Sequence, residues 1–256
     1  MSTPAIQIEH RGAVSEIRLC REDAHNALDT AMLQALDDAI ADVARRAATR
    51  ALIVSGQRVF CSGADLEHLA TQSPEQVHAF CALGTGVLDR LASVPIATIA
   101  AVGGAALGGG FELVLACDMA VATSSALFGL PEIQLGAIPS FGGVRRLCRR
   151  LSPSTARELV YSGRTLTAAR AKEMGVVLDV VKSVDLADHC EKLASRIARN
   201  APLALAAAKR LFVADERGAG SAELELVEVQ QLASTADWHE GLTARRDKRS
   251  PVFERK

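Results

Sequence analysis

The sequence predicts an α/β fold from three observations. A continuous apolar run followed by a glycine bend and a helical stretch occurs more than once, as in Ala51-Leu52-Ile53-Val54 before Ser55-Gly56 and in Ile96 to Val102 before Gly103-Gly104. The chain is 49% hydrophobic but only 4% aromatic, so its core is expected to be built from closely packed Ala, Leu, Val and Ile. The text changes to helical patterning from Asp185 onward.

Taken in order, Ile6 to Ile8 and Val14 to Leu19 are short alternating runs around His10-Arg11-Gly12, which reads as a β-hairpin. Asp29 is expected to cap a helix that places Met32, Leu33, Leu36, Ile40 and Val43 on one face. Ala51 to Val54 is a buried strand. A turn-rich stretch then leads to Asp65, read as the cap of another helix. Ile96 to Val102 is the next strand, followed by a glycine bend and a helix from about Gly109 to Cys117; Met119 to Thr123 is a further strand. In the last quarter, Ala201 to Ala208 and a stripe through Leu224, Leu226, Val227 and Leu232 read as helices separated at Gly218-Ala219-Gly220. We expect a core over 1–192 and a helical appendage over 193–256 that packs on the core or on another subunit.

Composition narrows the function. Lys+Arg 29 against Asp+Glu 30 gives a net charge of −1, so no global field is available to hold a nucleic-acid backbone. The six cysteines are scattered without a C-x-x-C pair or a histidine at ligand spacing, which favours buried reduced thiols, no metal and a cytosolic setting. No signal peptide is evident. Leu91 to Phe111 lacks any charge, but it contains Pro95 and five glycines, so a strand, a turn and a helix start explain it better than a membrane span. A basic cluster at Arg145-Arg146 and Arg149-Arg150 reads as a solvated helix face.

The chemistry concentrates around two glycine-lined bends and two glutamates. Gly103-Gly104 and Gly108-Gly109-Gly110 permit close backbone approach, and glycines opening a helix leave N–H groups free. The competing reading is tight helix–strand packing. The segment has no Gly-Lys-Ser/Thr, no G-x-G-x-x-G and no G-x-S-x-G. Glu112 lies in the first turn of its helix, where an acid is favoured anyway, yet its neighbours Phe111, Leu113, Val114 and Leu115 are apolar, so burial should raise its pKa. Glu132 is likewise framed by apolar residues; its structural alternative is an ion pair with a residue such as Arg145. Two buried acids with separated pKa values form an acid/base arrangement. At the second bend, Gly63 would free the Ala64 N–H.

These residues carry a resemblance. Phe60-Cys61-Ser62-Gly63-Ala64-Asp65-Leu66, Ala100 to Leu113 with its glycine triplet and Glu112, and Phe128-Gly129-Leu130-Pro131-Glu132-Ile133-Gln134-Leu135-Gly136 with Ile138-Pro139-Ser140-Phe141-Gly142-Gly143 resemble the signature of the crotonase (enoyl-CoA hydratase/isomerase) superfamily. The similarity runs from Asn26-Ala27-Leu28 to Asp237, Glu240-Gly241 and Lys248-Arg249.

The resemblance implies a crotonase-like spiral of ββα units with a C-terminal helical trimerisation region, forming trimers or dimers of trimers that bind acyl-CoA thioesters. It implies that the Ala64 and Gly109 N–H groups form an oxyanion hole, that Glu112 takes a proton from water adding at C3, and that Glu132 protonates C2. Ala24, Ser62, Ala64, Asp65, Leu66, Gly108, Gly109, Ser140 and Lys248 fall at positions that contact substrate or CoA, with Lys248 reaching across a subunit boundary. No cofactor is expected, because coenzyme A is part of the substrate, and neither nucleic acid nor membrane is an expected partner. The sequence departs from the hydratase pattern at Ser140, which replaces a glycine, at Val144-Arg145-Arg146, at Glu22-Asp23, and at Val229 and Arg245, where aromatic residues are usual. We expect Ser140 to cap the segment after Gly142, with a hydrogen bond to water or substrate as the alternative. Retention of both acids favours an enoyl-CoA hydratase. The alternatives are an isomerase or another acyl-CoA lyase or decarboxylase of this superfamily and, in a different class, a non-catalytic scaffold or RNA-associated protein.

Overall fold

The computed structural model describes residues 4–256. The chain opens with the expected hairpin, β1 (Ile6–Arg11) and β2 (Val14–Leu19), turning at Gly12 with φ +60°. Asp29 accepts from Met32 N at 2.7 Å and starts α1 (Thr30–Arg45), whose apolar face is buried at Met32, Leu33, Leu36, Ile40 and Val43. Next come β3 (Ala51–Ser55), the short α2 (Leu66–Ala70) and α3 (Pro74–Ser93), the last held by a Ser73/Gln76 capping box. Then follow β4 (Ala97–Val102), β5 (Ala106–Leu107), α4 (Gly109–Ala116), β6 (Met119–Thr123) and β7 (Leu127–Gly129). The second half holds α5 (Gly143–Arg150), α6 (Pro153–Ser162), β8 (Thr165–Thr167), α7 (Ala168–Glu173), β9 (Asp179–Val181) and α8 (Leu186–Ala198). Three helices close the chain: α9 (Pro202–Glu216), α10 (Ala222–Ala233) and α11 (Ala236–Arg246).

Two sheets organise these elements. The larger has the order β1-β2-β3-β4-β6-β9 and is parallel except for the β1–β2 hairpin; the smaller is β5-β7-β8. The chain steps repeatedly from a large-sheet strand to a short segment of the small sheet and then to a helix. It does so through β4, β5 and α4, and it does so from β3, where Cys61 bridges in parallel to Ala106 before α2 begins. That repetition places the starts of α2 and α4 side by side, at the ends of neighbouring strands.

Alternation along the strands divides the core. Leu52, Val54, Ala100, Val102, Ala120 and Ala122 face α1, α3 and α4, whereas Ala51, Ile53, Ile99, Ala101 and Val121 face α8 through Leu193, Ala194 and Ala198. The expected division at residue 192 therefore falls inside α8, a helix that belongs to the sheet's second face. Beyond it, α9 is tied down by Lys209, buried, which donates to Ile96 O and to Asp118 Oδ2, both at 2.9 Å. The uncharged stretch from Leu91 to Phe111 is the end of α3, then β4, β5 and the start of α4, and among the described residues no helix is long and apolar enough to cross a membrane.

Candidate active site

The site begins with main chain. At the first bend Gly63 adopts φ +102°, and a Cβ there would lie 2.8 Å from Leu107 O and 3.3 Å from Gly109 N, so a side chain would separate the two bends. Leu28 N donates to Gly63 O and Asp65 N to Leu28 O, both at 2.8 Å, which fixes the strand-like segment and leaves the intervening Ala64 N–H outside the ladder. At the second bend Gly108 has φ +50° and Gly109 opens α4, where first-turn N–H groups have no partner within the helix. Neither Ala64 N nor Gly109 N donates to an acceptor among the described residues. The two free donors lie at the positive end of α4.

Glu112, three residues along α4 from Gly109, is 1% exposed. Its Oε1 accepts from Gly143 N at 2.6 Å and from Phe141 N at 2.8 Å. Those N–H groups belong to the start of α5, which is entered through Gly142 at φ +95° and has no side-chain cap of its own. The carboxyl of α4 thus serves as the cap of α5. Gly143 makes this possible, since a Cβ there would lie 2.7 Å from Glu112 Oε1. Burial pushes the Glu112 pKa up to about 7, with the nearby Glu132 adding to the rise; the Gly143 and Phe141 N–H bonds and the Arg146 charge oppose it.

Glu132 comes from a short 3-10 helix, Pro131–Leu135, that ends at Gly136 with φ +73°. Its half-buried carboxyl lies over the second bend: a Cβ on Gly108 would be 3.0 Å from Glu132 Oε1. Burial raises its pKa, and Glu132 Oε2 is the only buried side-chain oxygen or nitrogen among the described residues without a hydrogen-bond partner. Such an orphan group, beside two free backbone donors and a carboxyl titrating near neutrality, has the elements needed to hold a carbonyl oxygen while protons move at adjacent carbons.

The other expected positions distribute unevenly. The turn holding Ala24 is joined to the first bend by Ser62 N donating to His25 O at 3.1 Å, and Leu66 is exposed at the start of α2. Asp65 caps α2 through His68 N at 3.1 Å and pairs with Arg21 at 2.9 Å; the His68 N–H bond is the main reason its pKa is lowered. Lys248 stands apart on the exposed turn after α11, with φ +54° and no bond to these residues.

Three expectations are corrected. Ser140 is not the cap of α5, because Glu112 occupies that role; the Ser140 carbonyl instead accepts from Thr85 Oγ1 at 2.8 Å. Glu132 is not paired with Arg145, whose guanidinium lies on Asp89. Nor are the four arginines a uniformly solvated face: Arg146 is buried on Asp89 and Phe141 O and Arg150 donates to Leu115 O and Cys117 O, whereas Arg149 is exposed beside Glu216. Asn26, which the sequence offers only as the start of the resemblance, is buried and bonded to Arg21 N, Val59 O and Phe60 O; the Phe141 and Gly143 N–H groups that hold Glu112 have no counterpart in the sequence reading. The one local signal for the latter is a Gly142-Gly143 pair before a helix that lacks a Ser, Thr or Asp cap.

Comparison with known proteins gives the family of the chain. The enoyl-CoA hydratase/isomerase family pattern matches residues 9–256. The chain is 38% identical over 240 residues to the 2,3-dehydroadipyl-CoA hydratase of Escherichia coli (strain K12), covering 93% of each. It is 36% identical over 264 residues to the carnitinyl-CoA dehydratase of Proteus mirabilis, covering 97% of this chain and 98% of the relative. The crystal structure of an enoyl-CoA hydratase from Bacillus anthracis superposes with a TM-score of 0.92 at 34% identity, over 99% of this chain and 100% of that one. The chain belongs to the enoyl-CoA hydratase/isomerase family, of the crotonase superfamily.

Proposed function

We propose that this protein is an enoyl-CoA hydratase, adding water across a trans-2-enoyl-CoA to give a 3-hydroxyacyl-CoA. The observation that carries the reading is the pair of mutually interacting carboxyls, Glu112 and Glu132, with Glu132 over the Gly108 bend beside the free Gly109 N–H and the Ala64 N–H likewise free. The thioester oxygen accepts from both donors. Ionised Glu112 takes a proton from water as the water oxygen bonds to C3, and the C2=C3 electron pair moves toward C2 and the thioester oxygen. Glu132, protonated beforehand, delivers its proton to C2. A Glu112 carboxyl titrating near 7 suits a base at neutral pH, and the raised pKa of Glu132 suits a donor. Each backbone donor is worth about 3–4 kcal/mol as negative charge develops on the oxygen. Relatives named as a hydratase and a dehydratase of acyl-CoA thioesters support the reaction class.

Coenzyme A enters as part of the substrate. Exposed Phe212, Leu226, Val229 and Leu242 on α9, α10 and α11 support self-association, which we read as a trimer or a dimer of trimers in which Lys248 reaches a neighbour's CoA. We retain a cytoplasmic setting as part of the same reading, in keeping with six unpaired cysteines.

The test is loss of the conjugated thioester's ultraviolet absorbance on addition of protein to crotonyl-CoA, with ¹⁸O from labelled water recovered at C3. Glu112→Gln and Glu132→Gln should each lower kcat by about 10²–10⁴. Full activity in both variants would refute the assignment. Conversion of a 3-enoyl-CoA without label at C3 would replace hydration by isomerisation.

A further inference from the structure

Arg146 is a buried charge for which the proposed reaction has no use, and its contacts lead to the catalytic carboxyl. It lies on α5 at 4% exposure and donates through Nη1 to Phe141 O at 2.7 Å. Its Nη2 lies on the Asp89 carboxylate of α3. The N–H of the same Phe141 donates to Glu112 Oε1 at 2.8 Å. Residue 141 is therefore gripped at both ends, its carbonyl by a cation and its N–H by the carboxylate. Its ring is immobilised too. It fills the space between Gly84 of α3 and Gly109 of α4, where a Cβ on Gly109 would meet Cε2 at 2.9 Å, and it stands edge-on to Phe80 at 5.5 Å.

We propose that Arg146 is a positioning residue: it anchors the Phe141 carbonyl and thereby fixes the Phe141 N–H that orients the Glu112 carboxylate toward the reacting water. The inference rests on the reading of Glu112 as the base. Two physical effects run along this path. Anchoring the carbonyl fixes the backbone of residue 141 and with it the direction of its N–H, and the buried Arg146 charge acts on Glu112 through a poorly screened interior. The charged groups around Glu112 are Glu132 from the 3-10 helix and Arg146 from α5, and they act in opposite directions. Around Arg146 are Asp89 of α3, Arg145 of its own helix, Glu112 of α4 and Glu216 of α9. Asp89 also holds Arg145, so loss of Arg146 leaves that acid paired and isolates the link to Phe141.

The experiment compares Arg146→Gln, Arg146→Met, Arg146→Lys and Arg145→Gln with the unaltered protein. In the pH profile of crotonyl-CoA hydration, rising activity on the acid side reports ionisation of Glu112. Removing a cation that favours the carboxylate should move that limb upward by about one pH unit in Arg146→Gln or Arg146→Met. Arg146→Lys, which keeps the charge, should hold the limb nearly in place. We expect kcat to fall about tenfold or more in the two neutral variants with KM within threefold, and Arg145→Gln to leave the limb where it was. Titration of the Glu112 carboxyl by infrared difference spectroscopy, assigned with Glu112→Gln, gives the same shift without turnover. A shifted carboxyl in a protein that hydrates nothing would therefore fail the hydratase reading and keep the link. If Arg146→Met does not fold, Arg146→Gln carries the test. An unmoved carboxyl titration and acid limb in a folded neutral variant would overturn the proposal.

Discussion

Glu112→Gln should make the protein inactive and, above neutral pH, more stable. An unfolded glutamate loses its proton near 4.5, whereas Glu112 in the folded protein keeps it to about 7, mainly because of burial. Between those values the native state binds the extra proton, so unfolding free energy falls as pH rises through this window and remains lower above it. The difference of about 2.5 units corresponds to roughly 3 kcal/mol at 1.36 kcal/mol per unit. Glutamine cannot titrate, but its amide oxygen can still accept from Phe141 N and Gly143 N, so the α5 cap survives. About 2.5 kcal/mol of this falls between pH 5.0 and pH 8.5, so the Tm of Glu112→Gln minus that of the unaltered protein should grow by about 5 °C over that range, at about 2 °C per kcal/mol for a chain of this size. Differential scanning calorimetry at the two pH values measures it. A difference that stays constant within 1 °C, or that shrinks as pH rises, would refute the argument that the folded protein holds this carboxyl protonated near neutrality.

Two other substitutions test the framework. Gly143→Ala places a Cβ against Glu112 Oε1, so hydration of crotonyl-CoA should fall by at least tenfold while KM changes little, because the displaced group is the proposed base and not a proposed CoA contact. An unchanged kcat in folded Gly143→Ala would show that the Glu112 position is not needed. Lys209→Met removes the buried cation that Asp118, itself exposed, accepts from, and leaves the Ile96 carbonyl without its donor, a loss that should cost about 1–3 kcal/mol, read as a lower urea midpoint at pH 7; a midpoint equal to that of the unaltered protein would show that α9 is anchored by its apolar contacts alone.

Much of this architecture is legible from short stretches of chain. The alternation of Leu52 and Val54 against Ile53, the caps at Asp29 and Asp65, and the glycine triplet ahead of Glu112 are local signals, and each element they imply is present. What escapes such a reading is set by long-range bonds. Glu112 is held by N–H groups 29 and 31 residues away, and Arg146 reaches Asp89 across 57 residues. No spacing rule records such pairs. Arg146 and Arg150 look solvated in a run of arginines until Phe141 O, Leu115 O and Cys117 O prove to be their acceptors. Ser140 misled for a related reason: a helix start invites a neighbouring hydroxyl, but a carboxyl from another helix had already taken the position. The apolar frame of Glu132 points to burial, but that it lies over Gly108 with one oxygen unpartnered is visible only in the fold.

The close seating of the two bends bears on how the protein can diverge. Gly110 leaves no room for a Cβ against Cys61 O, Gly63 is pressed to Leu107 O, and Phe60 N, Cys61 N and Leu107 N are bonded across the same seam. The spacing of the Ala64 and Gly109 N–H groups is therefore set by main-chain contacts, not by side-chain identity. Mutation can rewrite most surrounding side chains without touching that spacing, provided a few glycines persist. For laboratory evolution this separates two sets of positions: glycines at the seam that a mutant library should leave fixed, and residues such as Ser140 and Leu66, proposed to contact substrate, where substrate scope can be searched.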